Sequence, residues 1–153
     1  MFSEIWQKGE MNSDHQTDCC GCIFEGFEFQ DLKDVNPPDE KGVYAVRVKK
    51  KGCPVDKIVE QTGKITEKLG WKFVGSYINR RIERLKDIDK YPIIYIGSAG
   101  THKTSQNTLK KRYEEFSGRH TVMYPIWALI YFDWQLEFGW KIEKSDPKKL
   151  RII

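Results

Sequence analysis

Hydrophobic and polar positions along the chain change period several times, and each change marks an element. In "KGVYAVRV", residues 41 to 48, Tyr44, Val46 and Val48 fall on one face and Val43, Ala45 and Arg47 on the other, the alternation of a β-strand. From Pro54 the period lengthens. Val55, Ile58, Thr62, Ile65 and Leu69 recur every three or four residues, Pro54 suits a helix start and Gly70 its end, so a helix with those five residues inward is expected. A second helical stretch follows, with Phe73, Tyr77, Ile78, Ile82 and Leu85 inward and Arg80, Arg81 and Arg84 at its flanks.

"PIIYIG" is short, almost wholly apolar and rich in isoleucine, the composition of a buried central strand. The polar loop "SAGTHKTSQN" leads to Asn107 or Thr108 as N-cap of a helix whose apolar stripe is Leu109, Tyr113 and Phe116. Arg112 lies about 60° from Leu109 and about 40° from Phe116 around that helix, at the edge of the buried face, with Glu114 and Glu115 pointing away. "MYPIWALIYFDW" fits either a buried helix or a strand, and the spacing of Met123, Ile126/Trp127, Ile130/Tyr131 and Trp134 favours helix. In "LEFGWKI", Leu136, Phe138, Trp140 and Ile142 alternate with polar or small residues, as in a half-buried third strand. "SDPKKLRII" resembles the first turns of a helix. The expected architecture is α+β: a small three-stranded antiparallel sheet flanked by helices, with a helical insertion over about residues 54–88 between the first two strands.

The 153 residues suffice for one core, and 39% hydrophobic with 13% aromatic content supports it. No apolar run approaches the roughly 18 to 20 residues of a membrane span, and the N-terminus lacks the pattern of a signal peptide, so an intracellular chain, cytoplasmic or nucleoid-associated, is expected. The turn "NPPDEKG" suggests a boundary between an acidic N-terminal arm, residues 1–38, and a domain over 39–153. The "IFEGFEF" run before that turn is compatible with a strand or a docking tail.

Charge sharpens this division. The formal net charge of +4 combines two lysines against ten acids in residues 1 to 40 with 24 Lys/Arg against 12 acids in residues 41 to 153. A basic domain suits a polyanion, because each neutralised phosphate releases counterions. Lys49, Lys50, Lys51, Arg80, Arg81, Arg84, Lys103, Lys110 and Lys111 are the candidate nucleic-acid contacts; a lysine-rich solvated surface is the ordinary alternative. An acidic arm could also compete with DNA for that face. "HQTDCCGC" offers His15, Cys19, Cys20 and Cys22 as zinc ligands, but its spacing does not match a C-x₂-C knuckle, so free thiols are preferred.

Gly42, Val43 and Tyr44 ("GVY"), Tyr95, Ile96 and Gly97 ("YIG"), and "LKKR" ending at Arg112 resemble, in this order, the GIY-YIG nuclease superfamily over roughly residues 41–153. Taken singly, each has an ordinary reading as a strand-edge glycine, an amphipathic sheet tyrosine or a snorkelling arginine. The resemblance implies a DNA endonuclease that hydrolyses phosphodiester bonds with one divalent metal, Mg or Mn. It makes Gly42 and Gly97 structural motif residues, Tyr44 or Tyr95 the group that helps deprotonate water, and Arg112 the holder of the scissile phosphate. Where many members have His or Tyr one turn beyond the arginine, this chain has Phe116, and His120 is the candidate substitute. The family's metal-binding glutamate would fall at or just past residue 153, leaving Glu137 and Glu143 as candidates within the chain. The alternative function is a nucleic-acid-binding module with the nuclease fold and an incomplete catalytic site.

Overall fold

A computed structural model describes residues 24–86, 93–100, 106–117 and 123–144. The architecture is α+β. Strands β1 (Glu28–Asp31), β2 (Gly42–Lys50), β3 (Ile93–Ala99) and β4 (Gln135–Ile142) form an antiparallel sheet in the order β1-β4-β2-β3. Helices α1 (Val55–Lys68), α2 (Lys72–Glu83), α3 (Leu109–Ser117) and α4 (Met123–Tyr131) are the described helices. None is long and apolar enough to cross a membrane.

The sheet has four strands where the periodicity predicts three. The extra strand comes from the segment expected to be an arm and begins at the end of the "IFEGFEF" run, for which a strand is one of two readings: Glu28 to Asp31 pair with Trp140 to Glu137, and Leu32 and Val35 join the core just beyond. Four residues are too few to show a convincing alternation in sequence, and β1 exists because β4 offers it a ladder edge. Phe29 occupies the surface above Gly139, where a Cβ would overlap its ring, and the Arg47 guanidinium lies 3.7 Å over that ring. Phe24 and Phe27 pack beside Phe29, so the aromatic run covers the back of the sheet.

β3 is also displaced from its expected place. Its isoleucines predict a central strand, but it pairs with β2 alone and forms one edge, while β2 and β4 are central. The two motif segments are therefore direct neighbours: Gly42 opposes Ala99, Tyr44 opposes Gly97 and Val46 opposes Tyr95.

Between these neighbours the chain makes the predicted helical detour. α1 ends at Lys68 with Leu69 as its C-cap and Gly70 at φ +70°, the left-handed turn that glycine accommodates. Val55, Ile58 and Thr62 are buried as predicted, but Thr66 takes the next inward position and Ile65 and Leu69 face outward. The cause is the close approach of α2: Gly75 sits against the Thr66 side chain with no room for a Cβ, and Trp71 N–H donates to the Thr66 carbonyl. α2 then buries Ile78 and Ile82, with Leu85 following, and leaves Phe73, expected inward, 94% exposed. The helical pair packs against α4, which buries Met123, Ile126 and Leu129 and places Pro125 in its first turn, where no intrahelical amide is required.

Candidate functional site

The front face of the sheet carries Gly42, Tyr44 and Val46 from β2, Tyr95, Gly97 and Ala99 from β3, and Leu136, Phe138 and Trp140 from β4. α3 crosses this face. Its start is set by Thr108, whose hydroxyl accepts from Lys111 N–H at 3.3 Å and donates to Asp39 at 2.6 Å. Leu109 and Lys110 N–H bond to the carbonyls of Glu40 and Pro38, so the "NPPDE" turn holds the helix entry. Leu109 is buried near Gly42, where a Cβ would come within 2.9 Å of the leucine and also meet the Lys141 backbone carbonyl.

These constraints bring the motif residues together. The Tyr44 and Tyr95 rings stack at 5.8 Å between centroids. Phe116 from α3 meets both edge-on, at 5.8 and 5.7 Å, and Phe138 stacks on Tyr44 at 5.4 Å. Tyr44 is 4% exposed, whereas Tyr95 is partly open. The Tyr44 phenol is raised well above its usual range, chiefly by burial and then by the charge and hydrogen bond of Tyr95, against the opposing pull of Arg112. Tyr44 is therefore a neutral hydroxyl at any working pH.

Arg112 projects from α3 one turn before Phe116 and is half-buried. Its Nε is buried without a hydrogen-bond partner among the described residues, while Nη1 donates to Glu115 at 2.8 Å. Burial works against its charge, but the hydrogen bond and charge of Glu115, with both tyrosines, more than offset it and raise its pKa further. Glu115 lies on the exposed side of α3, as expected, and from there still pairs with Arg112. Residues three apart share a helix face, and a carboxylate there reaches back to the guanidinium. Tyr113, expected only as an apolar contact, meets Phe138 edge-on and donates its hydroxyl to the Leu32 carbonyl at 2.6 Å, tying α3 to the end of β1.

The remaining candidates lie elsewhere. Glu137 is on the back face, accepting from Arg47 Nε at 2.6 Å and lying 4.0 Å from Lys49 Nζ. Glu143 follows β4, with its N–H on the Lys41 carbonyl. Lys50 and Lys51 are exposed where β2 ends, Lys110 and Lys111 on α3, and Arg80, Arg81 and Arg84 belong to α2 and its C-cap. His120, Lys103, Cys19, Cys20, Cys22 and the "SDPKKLRII" segment lie outside the described residues. Among the described residues no group of three or more His, Cys, Asp or Glu side chains is arranged to hold a metal ion, and Glu137 is turned away from the tyrosines. These residues do not by themselves make up a metal centre.

In chemical terms the cluster offers a fixed guanidinium, a neutral buried phenol and a more open phenol on one face. No family model, curated protein or solved structure matches the chain.

Proposed function

We propose that the chain binds DNA and hydrolyses its phosphodiester backbone at the Tyr44, Tyr95 and Arg112 cluster. The observation that carries this reading is the convergence of these three side chains, from two strands and a helix far apart in sequence, on one sheet face. The order of the motif segments, their similarity to the GIY-YIG nucleases and the basic balance of residues 41 to 153 support it.

In this reading Arg112 binds a phosphate in place of the Glu115 carboxylate and offsets the negative charge that grows on the phosphoryl oxygens as water attacks. Tyr95, the more open ring, orients the attacking water by a hydrogen bond; as the water oxygen bonds to phosphorus, the P–O bond to the leaving sugar oxygen breaks, and the water's proton passes through solvent to that oxygen. Tyr44 stays protonated and acts as a hydrogen-bonding support. A divalent metal, which the family resemblance implies, would need ligands from beyond the described residues, and no step here runs through it.

The second reading, a DNA-binding module without hydrolysis, is favoured by one observation: Glu115 occupies Arg112. Incubating the full chain with supercoiled plasmid, with and without Mg²⁺ or Mn²⁺, separates them. Nicking that falls by about 10²- to 10³-fold in Arg112→Ala supports hydrolysis. Salt-sensitive binding without nicking selects the binding module.

A further inference from the structure

α4 contains no charged residue, yet part of its surface is open: Tyr124, Trp127 and Tyr131 are 42%, 45% and 74% exposed. Their spacing of three and four residues places them within about 60° of one another around the helix, on the side away from buried Met123, Ile126 and Leu129. An outward face made of aromatic rings with polar tips differs from the aliphatic face of a buried helix interface.

Two observations indicate what this stripe receives. Trp127 is joined to the candidate site: its indole N–H donates to the Phe116 carbonyl at 3.3 Å, and the Phe116 ring touches both Tyr44 and Tyr95. The stripe thus adjoins the residue one turn beyond Arg112. In addition, α2, which packs against α4, is basic; it and its C-cap carry Lys72, Arg80, Arg81 and Arg84 against Glu83, while Lys86 just beyond is paired with Asp56 at 2.7 Å. Arg81 extends over the Tyr77 ring at 5.4 Å. Flat rings on one helix and cations on the helix packed against it complement a polyanion whose bases are free to stack. Duplex DNA keeps its bases inside the helix, out of reach of such a stripe.

We propose that Tyr124, Trp127 and Tyr131 form a base-stacking platform that receives unpaired nucleotides beside Arg112, so that the preferred ligand is single-stranded or locally unpaired DNA. The proposal rests on the nucleic-acid reading above and adds the substrate class to it.

The test is fluorescence anisotropy of the full chain with a short labelled oligodeoxynucleotide, as a single strand and annealed to its complement. Wild type is expected to prefer the single strand. Trp127→Ala and Tyr131→Ala should each weaken single-strand binding by about five- to a hundredfold, the range for one lost stacking contact, with a much smaller effect on duplex. Tyr131→Phe, which keeps the ring, should retain affinity, and so should Phe73→Ala, an exposed aromatic of α2 that is not part of the stripe. Thermal melts identify any variant that fails to fold, and the highly exposed Tyr131 provides the variant least coupled to the core.

Unchanged single-strand affinity in folded Trp127→Ala and Tyr131→Ala overturns the proposal. Equal losses on single strand and duplex overturn it too, as does self-association in sedimentation velocity that these substitutions abolish while DNA binding persists. Nicking assays on the same samples separate this proposal from the hydrolysis reading. Stripe-dependent single-strand binding without cleavage retains the platform and removes hydrolysis; cleavage indifferent to the stripe does the reverse. Absence of binding to either DNA removes both.

Discussion

Tyr44 lies across Gly97, its cross-strand partner, so closely that a Cβ on Gly97 would overlap the ring carbon Cζ and the hydroxyl oxygen. The glycine of "YIG" is required by the tyrosine of "GVY", two residues 53 positions apart in the chain. Because Tyr44 is also packed by Tyr95, Phe116 and Phe138, its ring has nowhere to move. Gly97→Ala should cost about 1 to 3 kcal/mol by overpacking, lowering Tm by about 3 to 10 °C for a domain of this size. Differential scanning calorimetry would check this; an unchanged Tm would contradict the contact.

The Arg112 to Glu115 ion pair is half-exposed, so its stabilisation is at most about 1 kcal/mol. Glu115→Gln is therefore expected to leave Tm nearly unchanged. It removes a negative charge that competes with phosphate, and should tighten DNA binding about two- to fivefold at low salt, with the gain shrinking as salt rises. Anisotropy titrations at two ionic strengths would detect it; weaker binding would instead make Glu115 a support that orients Arg112.

Tyr44 also makes a definite alkaline prediction. Its folded phenol ionises well above the ordinary value near 10, so its stabilising contribution is complete below about pH 10 and is lost as pH rises toward the folded value. Tyr113, raised by burial and by the charges of Asp34 and Asp31, adds a contribution of the same sign. Urea midpoints measured from pH 9 to 11 should fall for wild type and fall less steeply for Tyr44→Phe. Identical slopes would show that Tyr44 is not held neutral.

The segment before the "NPPDE" turn is expected to be indispensable to the fold. Deleting residues 1–35 removes β1, buried Leu32 and Val35, and the carbonyl that accepts the Tyr113 hydroxyl. The loss should amount to several kcal/mol, since large buried side chains contribute about 2 to 5 kcal/mol each. Tyr113→Phe removes only the hydrogen bond and should cost about 1 kcal/mol. Circular dichroism melts of the two variants would order them; a deletion variant as stable as wild type would show that β1 is dispensable.

Much of the candidate site is legible in the sequence because its parts are local. Tyr44 and Tyr95 sit in alternating or isoleucine-rich apolar runs with the pattern of strands, and Arg112 flanks the apolar stripe of a capped helix. The Glu115 contact was legible in principle, since i and i+3 residues share a helix face, but the helical wheel ranked burial rather than pairing. The stripe on α4 was not legible: Trp127 and Tyr131 look like core residues when hydrophobicity is the sole guide.

By itself the sequence determined the α+β class, the helical detour between the two motif strands, and the basic balance of the domain, because periodicity, caps and charge are properties of neighbouring residues. Only the tertiary structure decided that β3 is an edge, that residues 28–31 supply a fourth strand, that Thr66 rather than Ile65 faces inward, and that Glu137 lies behind the sheet from the tyrosines. Each of these depends on which strand or helix arrives from elsewhere in the chain to cover a given face. A local pattern shows that a face will be buried, and the partner that buries it is set by packing across the whole fold.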